Sequence, residues 1–75
     1  MFQYIPIQSE LFSPYLGRYQ SFGLRVLRIH CGQDEEIMLL PDVTTDFSFI
    51  LRLASILTKK QLDPIHLLDI IEDLL

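Results

Sequence analysis

Residues 37–60 read IMLLPDVTTDFSFILRLASILTKK, and the character of the chain changes inside them. Ile37–Leu40 is a short apolar run that stops at Pro41. Such a run suits a strand, and proline has no amide to continue a ladder. After Pro41 the apolar residues recur at helical period. Phe47, Ile50, Leu51, Ala54 and Leu57 line one side, and Phe49, Leu53 and Ile56 widen it to an arc of roughly 220°. A surface helix needs only about 100°. Ser48, Arg52, Ser55 and Lys59 form the narrow polar remainder. Thr44 or Thr45 can cap the start, because a hydroxyl there accepts from an orphan amide. Asp46 suits the positive end of the helix dipole, and Lys59 and Lys60 suit the negative end. The pattern predicts a helix over about 45–59. An arc this wide calls for two neighbours, such as a sheet and another helix, or a sheet and another chain.

Downstream, Asp63 is an N-cap candidate and Pro64 fits the first helical position, where a missing amide costs nothing. A second helix is expected over about 64–75. Leu67, Leu68, Ile70, Ile71, Leu74 and Leu75 fall within an arc of roughly 160°. His66, Asp69, Glu72 and Asp73 share the opposite side.

Upstream, the period is that of strands. In SFGLRVLRIHC, Phe22, Leu24 and Val26 share one parity, and Leu27, Ile29 and Cys31 share the other. A parity switch moves side chains to the opposite face. Either a bulge sits near Val26–Leu27, or both faces are partly buried. Arg25 and Arg28 are the outward residues on each side of the switch. GQDEE reads as a turn, giving a β-hairpin over about 21–31 and 36–41, together 21–41. FQYIPI is compatible with an N-terminal strand, but Pro6 restricts it to an edge or to a short length. SPY marks a turn, and YLGRYQ is a possible further strand. The expected fold is therefore a single α+β domain over 1–75. A small antiparallel sheet of two to four strands comes first, and two C-terminal helices pack on one face.

Seventy-five residues make a small domain whose stability needs a dense core, a staple or a partner. Cys31 is the single cysteine, which excludes an intrachain disulfide. One Cys and two His make a tetrahedral zinc site an unpromising reading. The 49% hydrophobic content leaves a dense core or association as the route to stability. Six basic against ten acidic residues give a net charge of −4, which argues against nucleic acid and anionic membranes as partners. No apolar run approaches the roughly 20 residues that span a bilayer. MFQYIPIQSE lacks the basic start and long apolar run of a secretory signal. A cytoplasmic location is the expectation, and the lone thiol is consistent with it.

Candidate sites are few. His66, Asp69 and Asp73 stand at i, i+3 and i+7 on one helix face. They could gather as a metal or acid–base cluster. A solvated face of an amphipathic helix explains them better, because one helix alone supplies every donor. Acids crowd the last turns, where the dipole disfavours them. A cation from Arg25, Arg28, Arg52 or a partner would relieve that cost. Cys31 lacks an activating pattern and reads as a small core residue. The three glycines form no phosphate loop, and no nucleophile elbow occurs. No catalytic, cofactor-binding or metal residue is assigned, and no cofactor or enzymatic activity is expected. The apolar surplus is the stronger signal. Part of the first helix, or the segment with Phe2, Tyr4, Phe12 and Tyr15, suits a protein partner or a second copy.

Three stretches also resemble a family of small Firmicute proteins of unknown function. They are Phe22-Gly23-Leu24, Asp42-Val43-Thr44 and His66 through Leu75. That family shows a Tyr-Gly-Ile strand, an Asp-Ile-Ser helix start and a closing His-Leu-x-Asp-Val-Ile-Glu-Asp-Phe-Leu helix. The resemblance covers about residues 20–75 and leaves the first twenty unplaced. It implies a bacterial, cytosolic protein, and a capping or buried hydrogen-bonding role for His66. The reading is a non-enzymatic interaction or regulatory module, self-association included, with His66, Asp69, Glu72 and Asp73 as its interaction face. The alternative is a small ligand- or metal-binding protein that uses the same face.

Overall fold

The computed structural model describes residues 1–74. Three antiparallel strands form one sheet in the order β1-β2-β3: β1 (Phe2–Ser13), β2 (Gly17–His30) and β3 (Gln33–Thr44). They are followed by α1 (Phe47–Lys60), a short 3-10 helix (Pro64–His66) and α2 (Leu67–Leu74). The α+β architecture matches the expectation, but the strands are longer. β1 runs unbroken for 12 residues and β2 for 14. Pro6 is tolerated because β1 is an edge strand and needs no outward amide there. YLGRYQ is not a separate strand. Its last four residues, from Gly17, open β2, and the Ser13 hydroxyl accepts from the amides of Tyr15 and Leu16 to close the turn before it.

The second turn is tighter than expected. Only Cys31 and Gly32 lie outside the strands, both with positive φ (52° and 76°). Two consecutive positive φ values suit the right-handed twist of a two-residue hairpin. Gln33–Glu36, read from composition as turn, instead pair with Leu27–His30. Glu36 settles in the strand by accepting from Arg25 Nε at 2.7 Å.

Two irregularities shape the β2–β3 pairing. The first lies between Val26 and Leu27, where the parity switch points. Val26 pairs with Met38 and Leu27 with Glu36, so Ile37 is the extra residue on β3. Leu27 is buried, yet it stands outside the core cluster that the helices complete. Bulge and two-sided burial therefore occur together. The second irregularity sets Pro41, Asp42 and Val43 against Gly23, between the pairs Phe22–Thr44 and Leu24–Leu40. A Cβ on Gly23 would overlap the carbonyl oxygen of Leu40 and approach Pro41 C within 2.8 Å. The fully buried Ser21 hydroxyl donates to Asp42 and lies 3.1 Å from the Thr44 carbonyl oxygen, and the Tyr19 hydroxyl donates to Asp42. The distorted backbone is thus tied back to β2. Partial burial, then the Asp42 charge, raise the Tyr19 phenol above its ordinary pKa.

The cap of α1 is Asp46 rather than Thr44 or Thr45. Its carboxylate accepts from the Phe49 amide at 3.2 Å. Thr44 still contributes, because its hydroxyl accepts from the Asp46 amide. Gln61 ends the helix in the left-handed region, with its amide bonded to Leu57 and Thr58 carbonyls. Ile50, Leu53, Ala54 and Leu57 pack on Tyr4, Leu24 and Val26, and Leu67 closes the cluster from α2. Asp63 caps the second helical segment as expected, accepting from the Ile65 amide. Its first turn, however, is a 3-10 turn, so α2 begins only at Leu67. Leu75, counted among the apolar residues of the last helix, lies outside the described residues.

The Tyr4 phenol is buried and donates to the Leu62 carbonyl oxygen at 2.7 Å. Burial, then the charge of Asp63, push its pKa up to about 12 from the ordinary 10.0. In the unfolded chain the phenol loses its proton first, so the unfolded state binds fewer protons between those values. Stability measured by urea melts should be level below pH 10 and fall towards pH 12, and Tyr4→Phe should flatten that fall. Gly23→Ala should cost about 3 kcal/mol, because backbone rather than a flexible side chain must move. Gly17→Ala, at φ +71° but in open space, should cost about 1 kcal/mol in the same melts.

Candidate functional site

His66, Asp69, Glu72 and Asp73 are all exposed. His66 lies in the 3-10 turn, and its amide bonds to the Asp63 carbonyl oxygen at 3.0 Å. The imidazole is outside the core, so the buried or capping role that the resemblance implies for it is overturned. Asp63 does the capping. Among the described residues, no three His, Cys, Asp or Glu side chains converge as metal ligands. Cys31 is also corrected. It is exposed at the β2–β3 turn, not packed in the core. α2 begins at Leu67, so Asp69 stands in its first turn, where the dipole favours an acid, and not in the last turns as expected. Among the described residues, the cations proposed to relieve the acids of α2 do not pair with them. Arg25 pairs with Glu36, and the remaining ion pair among the described residues joins Arg18 and Glu10 at 3.9 Å.

The outer edge of β1 is one place where a partner strand could add. At its start it is closed from within. Gln61 accepts from the Phe2 amide at 2.8 Å and donates to the Phe2 carbonyl at 2.9 Å. The Thr58 hydroxyl accepts from the Tyr4 amide at 2.9 Å and lies 3.3 Å from the Tyr4 carbonyl oxygen. The end of α1 thus satisfies the groups that a neighbouring strand would. Pro6 comes next and offers no donor. Strand addition along this half of β1 is blocked.

The other half of the β1–β2 hairpin is open. β3 joins β2 only as far as the Phe22–Thr44 pair. Beyond it, from the Glu10–Gln20 pair outward, two strands continue alone as an arm. Its tip carries Phe12, Tyr15 and Leu16, exposed to 74%, 95% and 72%. The aromatic set singled out in the sequence is therefore divided. Tyr4 is in the core and Phe2 packs against it, while Phe12 and Tyr15 stand in solvent. Leu16 was missed, because nothing in YLGRYQ distinguishes a strand residue from a turn residue.

A third surface lies where the expected second neighbour of α1 falls short. Only Leu67 of α2 is buried, and Leu68 and Leu74 are about half exposed. Between the helices runs a groove of about 360 Å³ lined by Phe49, Arg52, Leu53, Ile56 and Leu74. Four of these five residues are apolar, and Ile56 and Leu74 are 51% and 52% exposed.

No helix among the described residues is long and apolar enough to cross a membrane. The chain belongs to the family of unknown function DUF6514, whose model matches residues 2–75. The match takes in the first twenty residues as well, so the β1–β2 hairpin is part of the family's domain. No curated protein and no solved structure matches the chain.

The closed edge has a measurable consequence. Removing its two side-chain caps with Thr58→Val and Gln61→Ala should cost about 1–2 kcal/mol in urea melts. The same variant should scatter light sooner on incubation, because unpaired strand amides become available to other chains.

Proposed function

We propose that this protein is a non-enzymatic interaction module that engages a protein partner through the β1–β2 arm. The observation that carries the reading is the arm itself, a two-stranded extension ending in Phe12, Tyr15 and Leu16. Two strands without a third, or without a helix across them, are marginal in water. Large apolar and aromatic side chains gathered at such a tip are the composition of interface centres. The net charge of −4 turns the reading away from nucleic acid and anionic membranes. The setting we propose is the bacterial cytoplasm. The exposed thiol of Cys31 suits a reducing compartment, and the Phe22-Gly23-Leu24 and His66–Leu75 stretches resemble Firmicute proteins. A ligand or metal site on the His66/Asp69/Asp73 face lacks converging donors among the described residues, and is not advanced.

The test compares the wild-type chain with a Phe12→Ser, Tyr15→Ser, Leu16→Ser variant as baits in cytosol of the native host. All three positions are exposed, so stability should change by less than about 0.5 kcal/mol per site. A protein captured by the wild type and lost from the variant is the expected result. Identical capture by both would remove the arm as the binding element.

A further inference from the structure

The capped start of β1 fixes the geometry of the free edge beyond it. Gln61 and Thr58 engage the amides and carbonyls of Phe2 and Tyr4, so the even positions of β1 turn their main-chain groups away from β2. The β1–β2 register runs without a shift from the Phe2–Arg28 pair to the Ser13–Gly17 pair, so the same alternation holds to the end of the strand. Pro6 falls in this outward set, where its missing amide costs nothing. Gln8, Glu10 and Phe12 point amide and carbonyl outward, and β1 has no strand on that side. Among the described residues, the caps from α1 stop at Tyr4. The side chains of Gln8, Glu10 and Phe12 share the face of Tyr4, which α1 covers further back. Beside Pro6, between the β1 edge and the flank of α1, lies a depression of about 410 Å³ whose lining includes Tyr4, Pro6, Leu51 and Ala54.

We infer that β1 of a second copy adds to this edge, antiparallel, about a two-fold axis at Ser9. This names the partner of the arm, and it rests on the arm being the binding element proposed above. The position of the axis follows from the residues. An axis at Glu10 sets the two Glu10 carboxylates directly opposite, which is unfavourable. An axis at Leu11 sets Gln8 against Pro14, in the turn and without an amide. An axis at Gln8 carries Phe12 onto Tyr4, where Thr58 holds the edge. With the axis at Ser9, Gln8 faces Glu10 of the other copy, a donor against an acceptor, and Ile7 faces Leu11. Each pair occurs twice, as an isologous interface requires. Pro6 accepts from the Phe12 amide of the other copy, which brings the total to about six main-chain hydrogen bonds. The same register places the Phe12 ring of one copy opposite Pro6 of the other, on the helix face, over the depression against Leu51 and Ala54. Phe12 and Leu51, 74% and 42% exposed in one copy, thereby cover each other. The added strand ends at Ser13, opposite Ile5, one residue short of the Thr58 cap on Tyr4. The third strand that the arm lacks is thus a copy of its own first strand.

The experiment is sedimentation equilibrium on the full chain, up to millimolar concentration, followed by oxidative cross-linking. The wild type should sediment at twice the mass of one chain. Glu10→Pro removes an amide that faces away from β2, so the chain should still fold while its dimer weakens at least about tenfold. Gln8→Lys sets a cation against Glu10 of the other copy, twice, and should tighten the dimer about fivefold, whereas Gln8→Glu should weaken it by about as much. The register is read by cross-linking in a Cys31→Ser background, independently of how the proline variant folds. Ser9→Cys puts two thiols across a non-hydrogen-bonded pair, with Cα atoms about 4.5 Å apart, within reach of a disulfide. It should cross-link at least about tenfold faster than Leu11→Cys, whose Cα atoms lie roughly 14 Å apart in this register. A wild-type chain that stays monomeric throughout, Gln8 variants that shift the dimer in the same direction, or cross-linking at 11 as fast as at 9 would each overturn the proposal. A captured protein lost from the arm-tip variant would still uphold the wider role of the arm, so the two failures are distinguishable.

Discussion

The shape of the molecule depends on what is missing at Gly23. Because that residue has no side chain, the backbone of Leu40 and Pro41 crosses directly against β2. The crossing lets β3 gain residues on its partner and leave the sheet opposite Phe22. Three consequences follow from that exit point. The chain enters α1 two residues after the end of β3, at the Asp46 cap. The helix lies over the half of the sheet that β3 completes. The other half of the β1–β2 hairpin remains two-stranded. Ser21, Tyr19 and Asp42 hold this junction by hydrogen bonds. A side chain at Gly23 would therefore disturb the entry to the helix as well as the strand pairing.

The distribution of apolar residues explains why so small a domain leaves so much uncovered. The arc of α1 is wide enough for two neighbours, and the sheet supplies one of them in full. Tyr4, Leu24 and Val26 meet Ile50, Leu53, Ala54 and Leu57 in the core. The second neighbour, α2, meets that core chiefly through Leu67 and Ile71. Phe47, Leu51 and Ile56 consequently stay 42–53% exposed. Single exposed apolar residues are ordinary in proteins, whereas a lined groove between two helices is not. The sequence holds more apolar surface than one copy of this fold can bury.

Much of this was legible in the residues. The change from period 2 to period 3.6 after Pro41 reports the passage from sheet to helix. The Val26–Leu27 parity switch locates a bulge, because alternation is a strict rule of strands. Asp63-Pro64 marks the start of the last helical segment for a local reason, the fit of cap and proline. What could not be read depends on distant contacts. The acids Asp34, Glu35 and Glu36 look like turn residues, and only pairing with β2 makes them strand. Asp46 wins the capping role over Thr44 and Thr45 because β3 extends as far as Thr44. The arm is invisible in sequence, since its two-strand character is set by where β3 ends. The His66/Asp69/Glu72/Asp73 face was visible as a pattern, but the unpaired state of its acids appears only once the ion pairs of the fold are placed.

The closed edge of β1 limits how this protein can meet others. Main-chain pairing is the least selective way for a sheet to bind, because every peptide offers the same donors and acceptors. Thr58, Gln61 and Pro6 remove that option beside the helix. Recognition there must pass through side chains. Two groups of exposed side chains offer it: aromatic and aliphatic residues at the arm tip, and the apolar groove between the helices with Arg52 in its lining. The first can bury area without regard to sign, so its selectivity must come from shape. The second adds one cation, Arg52, to an apolar lining, which favours a partner that brings an acid. A chain with both kinds can use one surface for a fixed assembly and the other for a partner, because neither set of residues is consumed by the other.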